Sequence, residues 1–286
     1  MLELVEITKV YKGQKRAVDG LTLRLTPGLV GLLGPNGAGK SSLLRIAATV
    51  TRPTSGQVRF DGQDAVARPD GLRRALGYLP QDFGVYPNLN AVEFLRYLAA
   101  VKGLSARSAR ARIDEVLELV NLTHAAKRAL GGYSGGMLRR VGIAQTLLGD
   151  PRVIIVDEPT AGLDPEERVR FRNLLSDLAA TRVVLLSTHI VGDVESAAAR
   201  IAVVKGGRIR LDGAPEDLVR GVAGHVWEAT VAPADAAALQ QRLLTTRAVR
   251  TAQGVRLRIL AVNRPLPDAV PAAPDLEDAY VGAVHA

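Results

Sequence analysis

The chain has 286 residues, of which 47% are hydrophobic and 23% are charged, and it contains 28 Gly, 15 Pro and no Cys. This composition excludes a disordered chain, a collagen-like repeat, a coiled-coil rod and any thiolate site, while the length favours one large or two unequal domains. The net charge of +8 is densest at Lys12–Arg16 and Arg107–Arg112, without interleaved aromatics, and favours a solvated basic face over a nucleic-acid partner, with attraction to anionic lipid or nucleotide as the alternative.

No apolar run approaches the roughly 18 residues that a bilayer crossing needs. The longest runs, Val153–Val156 and Val183–Leu186, have the length of single strands. The segment Met1–Val10 alternates apolar and charged residues and lacks the basic-then-apolar pattern of a secretory signal. We therefore expect the chain not to span a membrane and to stay in the cytoplasm.

The first part of the chain has the pattern of strands followed by a helix. Leucines alternate with polar residues over 21–25, and a turn at Pro27-Gly28 leads into the apolar run 29–33. This pattern predicts a hairpin and then a buried strand that ends at a glycine-rich loop. Helical spacing follows over 41–50, and 57–61 is typical of a short strand. The order indicates a parallel sheet with helices on its faces.

The middle of the chain combines a mostly helical insert with further strands. Apolar residues fall at helical intervals over Asn90–Leu122, with an interruption near Gly103. The apolar runs 153–156 and 183–187 are typical of strands at the centre of a parallel sheet. The amphipathic stretch Glu166–Ala180 between them predicts a helix.

The character of the sequence changes again after Gly221, and we predict a small appended domain over residues 221–286. Its predicted elements are strands at Val226–Val231 and Val255–Val262, a helix at Ala234–Leu244, a proline-rich linker at Pro265–Pro274 and a last helix at Leu276–Val281.

The glycine-rich loop after the buried strand satisfies the spacing G-x-x-x-x-G-K-[ST]. Glycines allow the backbone to curl around a phosphate and point successive N–H groups at it, and the following helix N-terminus adds positive potential. Lys40 would bring its charge to the β- and γ-phosphates, and the Ser41 hydroxyl would bind Mg²⁺. The residues predicted to hold the nucleotide here are Gly34, Pro35, Asn36, Gly37, Ala38, Gly39, Lys40, Ser41 and Ser42.

Two adjacent carboxylates end the apolar run Val153–Val156. A buried parallel strand that ends in this way places one carboxylate beside the loop of the neighbouring strand. Asp157 would hold Mg²⁺, directly or through water, and Glu158 would position or deprotonate the water that attacks the γ-phosphorus. The sequence therefore predicts a site that hydrolyses a nucleotide.

The order of these motifs resembles the ATPase subunit of an ATP-binding cassette (ABC) transporter over residues 1–220. The resemblance implies an α/β fold with a P-loop NTPase core, in which an antiparallel β subdomain and a helical subdomain at about residues 88–150 join a mostly parallel sheet. Residues 221–286 would then form a small α+β extension. The cofactors implied are ATP and Mg²⁺.

In this family a second phosphate-sensing motif precedes the carboxylate strand, and Tyr133-Ser134-Gly135-Gly136-Met137 occupies its place. The hydroxyl of Ser134 and the N–H groups of Gly135 and Gly136 would form an anion site at the start of a helix; the alternative is a plain helix N-cap. The resemblance implies that these groups cap the γ-phosphate held by the other subunit of a homodimer or pseudo-dimer, which encloses two ATP molecules. Tyr133 and Met137 replace the commoner Leu and Gln, as in subunits of bacterial drug, polysaccharide and ion exporters.

Four further residues match the family by position. Tyr11 resembles the aromatic that stacks on adenine, with an edge-strand tyrosine as the alternative. Gln81 resembles the glutamine that contacts Mg²⁺ and relays the nucleotide state to the membrane partner. Asp164 matches the loop that crosses to the opposite subunit and also suits a helix N-cap. His189 matches the histidine that touches the γ-phosphate and Glu158. The predicted catalytic residues are Lys40, Gln81, Glu158 and His189.

Three classes of protein share this ATPase core, so the fold does not decide between them. A translation factor would carry a second cassette, and residues 221–286 contain no second phosphate loop. A chromosome-maintenance protein would carry long heptads between Lys40 and Asp157, and the sequence has none. We therefore predict the ATPase of an exporter, peripheral on the inner face of the cell membrane, with a separate integral membrane permease; the alternative is an ATPase with a partner outside transport.

Two surfaces are predicted to meet partners. The family docks its membrane partner on a loop at the position of residues 82–89, where Phe83, Val85 and Tyr86 are apolar; the alternative is that they pack under the helical insert. Near the carboxyl end, Leu276–Tyr280 resembles a helix that supports dimerisation in exporter-type subunits, with a scaffolding helix as the alternative.

Overall fold

The computed structural model describes residues 1–285, which form three sheets with helices between and around them. In chain order the first elements are β1 (Leu2–Val10), β2 (Arg16–Leu25), β3 (Gly28–Leu33), α1 (Lys40–Ala47), β4 (Ser55–Phe60), β5 (Gln63–Asp64), α2 (Asp70–Ala75), β6 (Leu76–Leu79), α3 (Ala91–Val101), α4 (Ala106–Leu119), α5 (Gly135–Leu147) and β7 (Val153–Asp157). The chain continues with α6 (Pro165–Ala179), β8 (Val183–Thr188), β9 (Arg200–Lys205), β10 (Arg208–Gly213), α7 (Pro215–Arg220), β11 (Val226–Val231), α8 (Pro233–Arg242), β12 (Thr245–Thr251), β13 (Gly254–Leu260), β14 (Val270–Pro271) and α9 (Leu276–His285). No helix of residues 1–285 has both the length and the hydropathy that a bilayer crossing requires.

The central sheet has six strands in the order β10-β9-β3-β8-β7-β6. β3 runs parallel to both β8 and β9, and β7 runs parallel to both β6 and β8, while β10 is an antiparallel edge strand. The predicted mostly parallel sheet is therefore confirmed. Because these strands are parallel, the carboxyl ends of β3, β6, β7 and β8 lie at one edge of the sheet.

Hydrophobic cores lie on both faces of this sheet. On β7, Ile154 and Val156 point into the core shared with the helical insert, whereas Val153 and Ile155 point into the core shared with the antiparallel sheet. The period of two in a strand sends neighbouring side chains to opposite faces. The continuous apolar run at 153–156 therefore reflects burial on both sides of the strand.

The antiparallel sheet has the order β2-β1-β4-β5 and corrects one prediction. The turn at Pro27-Gly28 does not close a hairpin, because β2 pairs with β1 whereas β3 pairs with β8 and β9. The physical reason is the composition of β3, whose apolar side chains need cover on both faces and find it only in the central sheet.

The third sheet, order β12-β13-β11-β14, includes the predicted strands at 226–231 and 255–262 with small changes at their ends. Strand β12 was not predicted, since its residues include no run of alternating apolar side chains. Helix α8 buries Ala236 against one face of this sheet. Helix α9 instead inserts Leu276 and Ala279 into the core of the central sheet. The domain boundary at residue 221 remains a prediction.

A buried ion pair joins the third sheet to α9. Nη2 of Arg258 on β13 donates to Oδ2 of Asp278 at 2.8 Å, and the hydroxyl of Thr246 donates to the other carboxylate oxygen at 2.7 Å. Asp278 is fully buried. Burial alone would raise the pKa of Asp278, but the hydrogen bonds from Arg258 and Thr246 outweigh burial and lower that pKa. Folding therefore favours the ionised form of Asp278.

We predict that Asp278→Asn lowers the free energy of unfolding by about 2 kcal/mol at pH 7, because it removes the only fully buried carboxylate among the three described ones that pair with Arg258. Since folding lowers the pKa of Asp278, the difference from wild type is present above the unfolded-state pKa of about 3.9 and disappears as the pH falls through the lower folded-state pKa. Denaturant unfolding at a series of pH values measures this difference, with the exposed Asp268→Asn as the control. A difference that does not change with pH would contradict the prediction.

Candidate nucleotide-binding site

Four loops that carry predicted site residues leave the central sheet at the same edge. β3 leads into the phosphate loop, residues 34–41, and β6 leads into Gln81. β7 is followed by Glu158 and β8 by His189. The register pairs the last residues of neighbouring strands, so residues far apart in the sequence converge beyond this edge.

Two glycines of the phosphate loop occupy positions that exclude a side chain. A Cβ at Gly39 would lie 2.1 Å from the carbonyl oxygen of Ala17, and a Cβ at Gly34 would lie 2.3 Å from that of Val204. Gly39 also has a φ of 105°, in the left-handed region. No side chain of the described residues caps helix α1, which begins at Lys40. Its first N–H groups are therefore available to an anion.

Lys40 lies inside the loop and is only 6% exposed. Its Nζ donates to the carbonyl oxygen of Gly34 at 2.6 Å and lies 3.8 Å from Oε1 of Glu158. Burial lowers the pKa of Lys40, and the negative charges of Glu158 and Asp157 oppose this effect. The ammonium group is thus held between the loop carbonyls and the carboxylates at the end of β7.

Glu158 is held by contacts on both of its carboxylate oxygens. Oε1 faces Lys40, and Oε2 lies 2.9 Å from Nδ1 of His189. The backbone turns sharply here, with a φ of 48°, while the N–H of Glu158 donates to Ser187 at 2.9 Å. A positive φ is uncommon outside glycine and costs about 1–3 kcal/mol. The turn brings the Glu158 side chain to the mouth of the phosphate loop.

Two buried polar atoms beside this turn have no hydrogen-bond partner among the described residues: Oδ1 of Asp157 and Oγ of Ser187. Leaving such atoms unpaired is costly, and a carboxylate oxygen is a ligand that Mg²⁺ or its bound water prefers. The unpaired oxygen of Asp157 therefore fits the predicted metal site. Ser41 and Gln81, the other predicted metal ligands, line the cleft described next.

A cleft of about 590 Å³ opens over the phosphate loop. It is lined by most of the predicted residues, namely Tyr11, Pro35–Ser42, Gln81, Glu158 and His189. Lys12, Lys15, Ala17 and Ala161 also line it, although the motifs did not indicate them. The basic density at Lys12–Arg16 was the available signal for the two lysines, and their charge suits a polyphosphate.

Tyr11 stands at the rim of this cleft. Its hydroxyl donates to Oγ of Ser42 at 3.2 Å, and Nζ of Lys9 lies 5.2 Å from the centre of its ring. The side chain remains 39% exposed. The ring is thus held at two places while keeping exposed surface on which a planar base could stack.

Ser134, Gly135, Gly136 and Asp164 come together in a second cleft of about 310 Å³. The Ser134 hydroxyl oxygen accepts from the N–H of Met137 at 3.2 Å, and Asp164 accepts from the N–H of Glu167 at 2.9 Å. Both side chains therefore cap helices, as one of the predicted alternatives required. None of the four residues lines the first cleft.

A family model described as ABC transporter matches residues 18–161. The chain belongs to the ABC transporter family. It is 36% identical over 232 residues to the uncharacterized ABC transporter ATP-binding protein YxlF of Bacillus subtilis, covering 81% of this chain and 77% of that protein. It is 38% identical over 246 residues to the daunorubicin/doxorubicin resistance ATP-binding protein DrrA of Streptomyces peucetius, covering 85% and 74%. The Nod factor export ATP-binding protein I of Burkholderia pseudomallei is 36% identical over 225 residues, covering 78% and 74%.

Solved structures agree with this assignment. A dimeric structure of MJ0796, a bacterial ABC transporter cassette, superposes with a TM-score of 0.70 and 29% identity, covering 75% of this chain and 98% of that one. A post-hydrolysis state of MJ0796 bound to ADP and phosphate superposes with a TM-score of 0.69 and 28% identity, covering 75% and 98%. The predicted P-loop NTPase fold is confirmed, and the chain is the ATP-binding ATPase subunit of an ABC transporter.

Proposed function

We propose that this chain hydrolyses ATP with Mg²⁺ at the first cleft and that the resulting work drives export through a separate membrane permease. One observation carries the proposal: Glu158 lies between Lys40 and His189 at the mouth of the phosphate loop. A carboxylate in this position can accept a proton from a water that approaches the γ-phosphorus. His189 would hold the carboxylate in place through its 2.9 Å contact.

The other residues of the cleft would bind and orient the nucleotide. The free N–H groups at the start of α1 and the ammonium of Lys40 suit the phosphates, and the exposed ring of Tyr11 suits the base. Ser41, Gln81 and Asp157 would hold Mg²⁺, which when bound neutralises charge on the phosphate oxygens. The unpaired oxygen of Asp157 supports this assignment.

The second cleft supports an active unit of two chains. Its predicted phosphate-sensing groups, Ser134, Gly135 and Gly136, do not face the first cleft of their own chain. We propose that they complete the first cleft of a second copy or of a related subunit, and that Asp164 lies beside the junction. The dimeric structures of MJ0796 support this arrangement.

The direction of transport and the membrane partner are inferred from the relatives. DrrA is described as a drug-resistance protein and the Burkholderia relative as a Nod factor export protein. From these descriptions we infer that this chain serves export through an integral membrane permease. It would bind to the inner face of the membrane. The cargo would be chosen by the permease.

We predict that Glu158→Gln reduces the turnover of ATP by at least about 100-fold while the affinity for ATP stays within about threefold of wild type, because the amide keeps the shape but cannot accept the proton. Steady-state phosphate release and calorimetric titration with ATP measure the two quantities. Glu166→Gln, in an exposed residue on α6, is the matched control and should leave both unchanged. Full activity of Glu158→Gln would place the base elsewhere.

The composite site leads to a mixing prediction. Lys40→Ala removes the phosphate charge from one side of the site, and Ser134→Arg blocks the other side, so each variant alone should be inactive. An equimolar mixture that pairs at random should recover about a quarter of wild-type activity. Half of the dimers are then mixed, and each mixed dimer has one intact site of two. If mixing restores no activity although mixed dimers form, Ser134 acts within its own chain.

The predicted docking loop divides into packed and exposed residues. Phe83 and Val85 are half-buried against the core of the helical insert, and the ring of Phe83 lies so close to α5 that a Cβ at Gly142 would be 2.6 Å from it. Tyr86 is 55% exposed and meets Tyr97, which is 50% exposed, in an edge-on contact of 5.9 Å between ring centres. The packing alternative therefore describes Phe83 and Val85. Tyr86 and Tyr97 form the exposed aromatic pair that we propose contacts the permease.

We predict that Tyr86→Asp and Tyr97→Asp abolish copurification with an integral membrane permease and change basal hydrolysis of ATP by less than about twofold, since both rings are exposed. Val262→Asp changes an exposed apolar residue in a different part of the chain and should not affect either quantity. Copurification from detergent-solubilised membranes, with mass spectrometry of the bound protein, is the measurement. A permease that still copurifies with both tyrosine variants would place the docking surface elsewhere.

A further inference from the structure

Arg139 on α5 is buried, with an exposed fraction of 6%, and its guanidinium contacts only backbone carbonyls among the described residues. Nε donates to Pro159 at 3.0 Å, Nη1 donates to Gln81 at 2.8 Å, and Nη2 donates to Asp157 at 2.6 Å. The guanidinium also donates to the carbonyls of Pro80 and Glu158. The five N–H groups of one arginine thus meet five carbonyl oxygens.

These carbonyls belong to the last residue of β7, Asp157, and to the two segments that follow β6 and β7. The pairing between these two strands ends at Leu79 and Val156, so the carbonyls beyond that point have no partner across this strand pair. A buried carbonyl without a donor costs about 1–3 kcal/mol. Arg139 supplies donors to both segments at once, and no ladder hydrogen bond could do so.

The surroundings of residue 139 explain why it is an arginine, whose guanidinium is both charged and planar. Burial lowers the pKa of Arg139, but the negative charges of Asp157, Asp82 and Glu158 oppose this effect. A lysine carries the same charge but has only three donors, placed at a single point. A methionine fills a similar volume and donates nothing.

We propose that Arg139 is a positioning residue that holds the loop of Gln81 and the segment of Glu158 at a fixed separation, with α5 as the common support. The proposal rests on the catalytic roles proposed above for Glu158 and Gln81. The helix that carries Arg139 begins at Ser134 and Gly135, so it also connects the second cleft to the reacting end of the first.

Arg139 should therefore act on turnover and not on the affinity for ATP. Its five partners lie outside the phosphate loop, which binds most of the nucleotide. A displacement of about 1 Å in a catalytic group can cost roughly 100-fold in rate. Loss of Arg139 would release the backbone on which both Gln81 and Glu158 are carried.

The kinetic experiment compares Arg139→Met and Arg139→Lys with wild type. For Arg139→Met we expect the dissociation constant of ATP to stay within about threefold and kcat to fall at least tenfold, and for Arg139→Lys we expect an intermediate kcat. Arg112→Met is the matched control, because Arg112 is also partly buried and donates to a carbonyl at the other end of α5, that of Leu147. It should keep kcat within about twofold of wild type.

A second measurement detects the positions of the two segments without catalysis. The chain contains no cysteine, so Gly84→Cys and Ala161→Cys introduce two unique sites for spin labels, one on each segment. Both positions are exposed, and a Cβ at Gly84 meets nothing within 4 Å. Electron paramagnetic resonance should give a narrow distance distribution with Arg139 present and a broader one with Arg139→Met. The control Arg112→Met should keep the narrow distribution.

The results separate this proposal from the proposed function. An unchanged label distribution in Arg139→Met, or a kcat within twofold of wild type, overturns the positioning role. A parallel loss of ATP binding overturns it as well. If Arg139→Met does not fold, the same criteria apply to Arg139→Lys.

If Glu158→Gln is fully active while the label distribution of the Arg139 variant broadens, the proposed base is wrong but the positioning of the two segments is supported. In the background of Glu158→Gln, Arg139→Met should slow turnover by less than in wild type, because the part of its effect that passes through Glu158 is already lost.

Discussion

The parallel pairing of β3, β6, β7 and β8 is the constraint on which the nucleotide site depends. In register, Leu33 pairs with Thr188, Asp157 with Ser187 and Leu79 with Val156, so all four strands end at nearly the same level. Each loop that leaves this edge contributes different chemistry, and no single segment contains a complete site. A change of one residue in any register would turn the strand over and point its last side chain away from the cleft.

The charges gathered at this edge balance one another. Lys40 and Arg139 are cations, Asp157 and Glu158 are anions, and all four are less than one-tenth exposed. A buried charge without a partner costs several kcal/mol, so the four groups depend on each other's presence. The cations make their hydrogen bonds to backbone carbonyl oxygens, and Oδ1 of Asp157 has no hydrogen-bond partner among the described residues. These hydrogen bonds to the backbone therefore fix the positions of the charged side chains before a nucleotide binds.

The sequence was most informative where one residue type has a single physical use. Gly34 and Gly39 are such residues, because any side chain at either position would collide with a neighbouring backbone carbonyl. The carboxylate at the end of the apolar strand β7 is another example. Contacts of side chains with distant backbone could not be predicted. Arg139 resembles any basic residue of a helix until the fold brings five carbonyls to it, and Phe83 resembles a surface residue until α5 lies beneath it. The partner of β2 was also predicted wrongly, because neighbouring strands in sequence are not always neighbours in the sheet.

Helix capping and ligand contact, which the sequence offered as alternatives at Ser134, use different atoms. The hydroxyl oxygen accepts from Met137, so the cap occupies a lone pair and leaves the O–H hydrogen free to donate. The N–H groups of Gly135 and Gly136 are in the first turn of α5, where no partner within the helix can accept from them. A Cβ at Gly135 would meet nothing within 4 Å, so the approach to these donors is open. The cap therefore fixes the direction in which three donors point, and an anion brought by another molecule would meet them already in place.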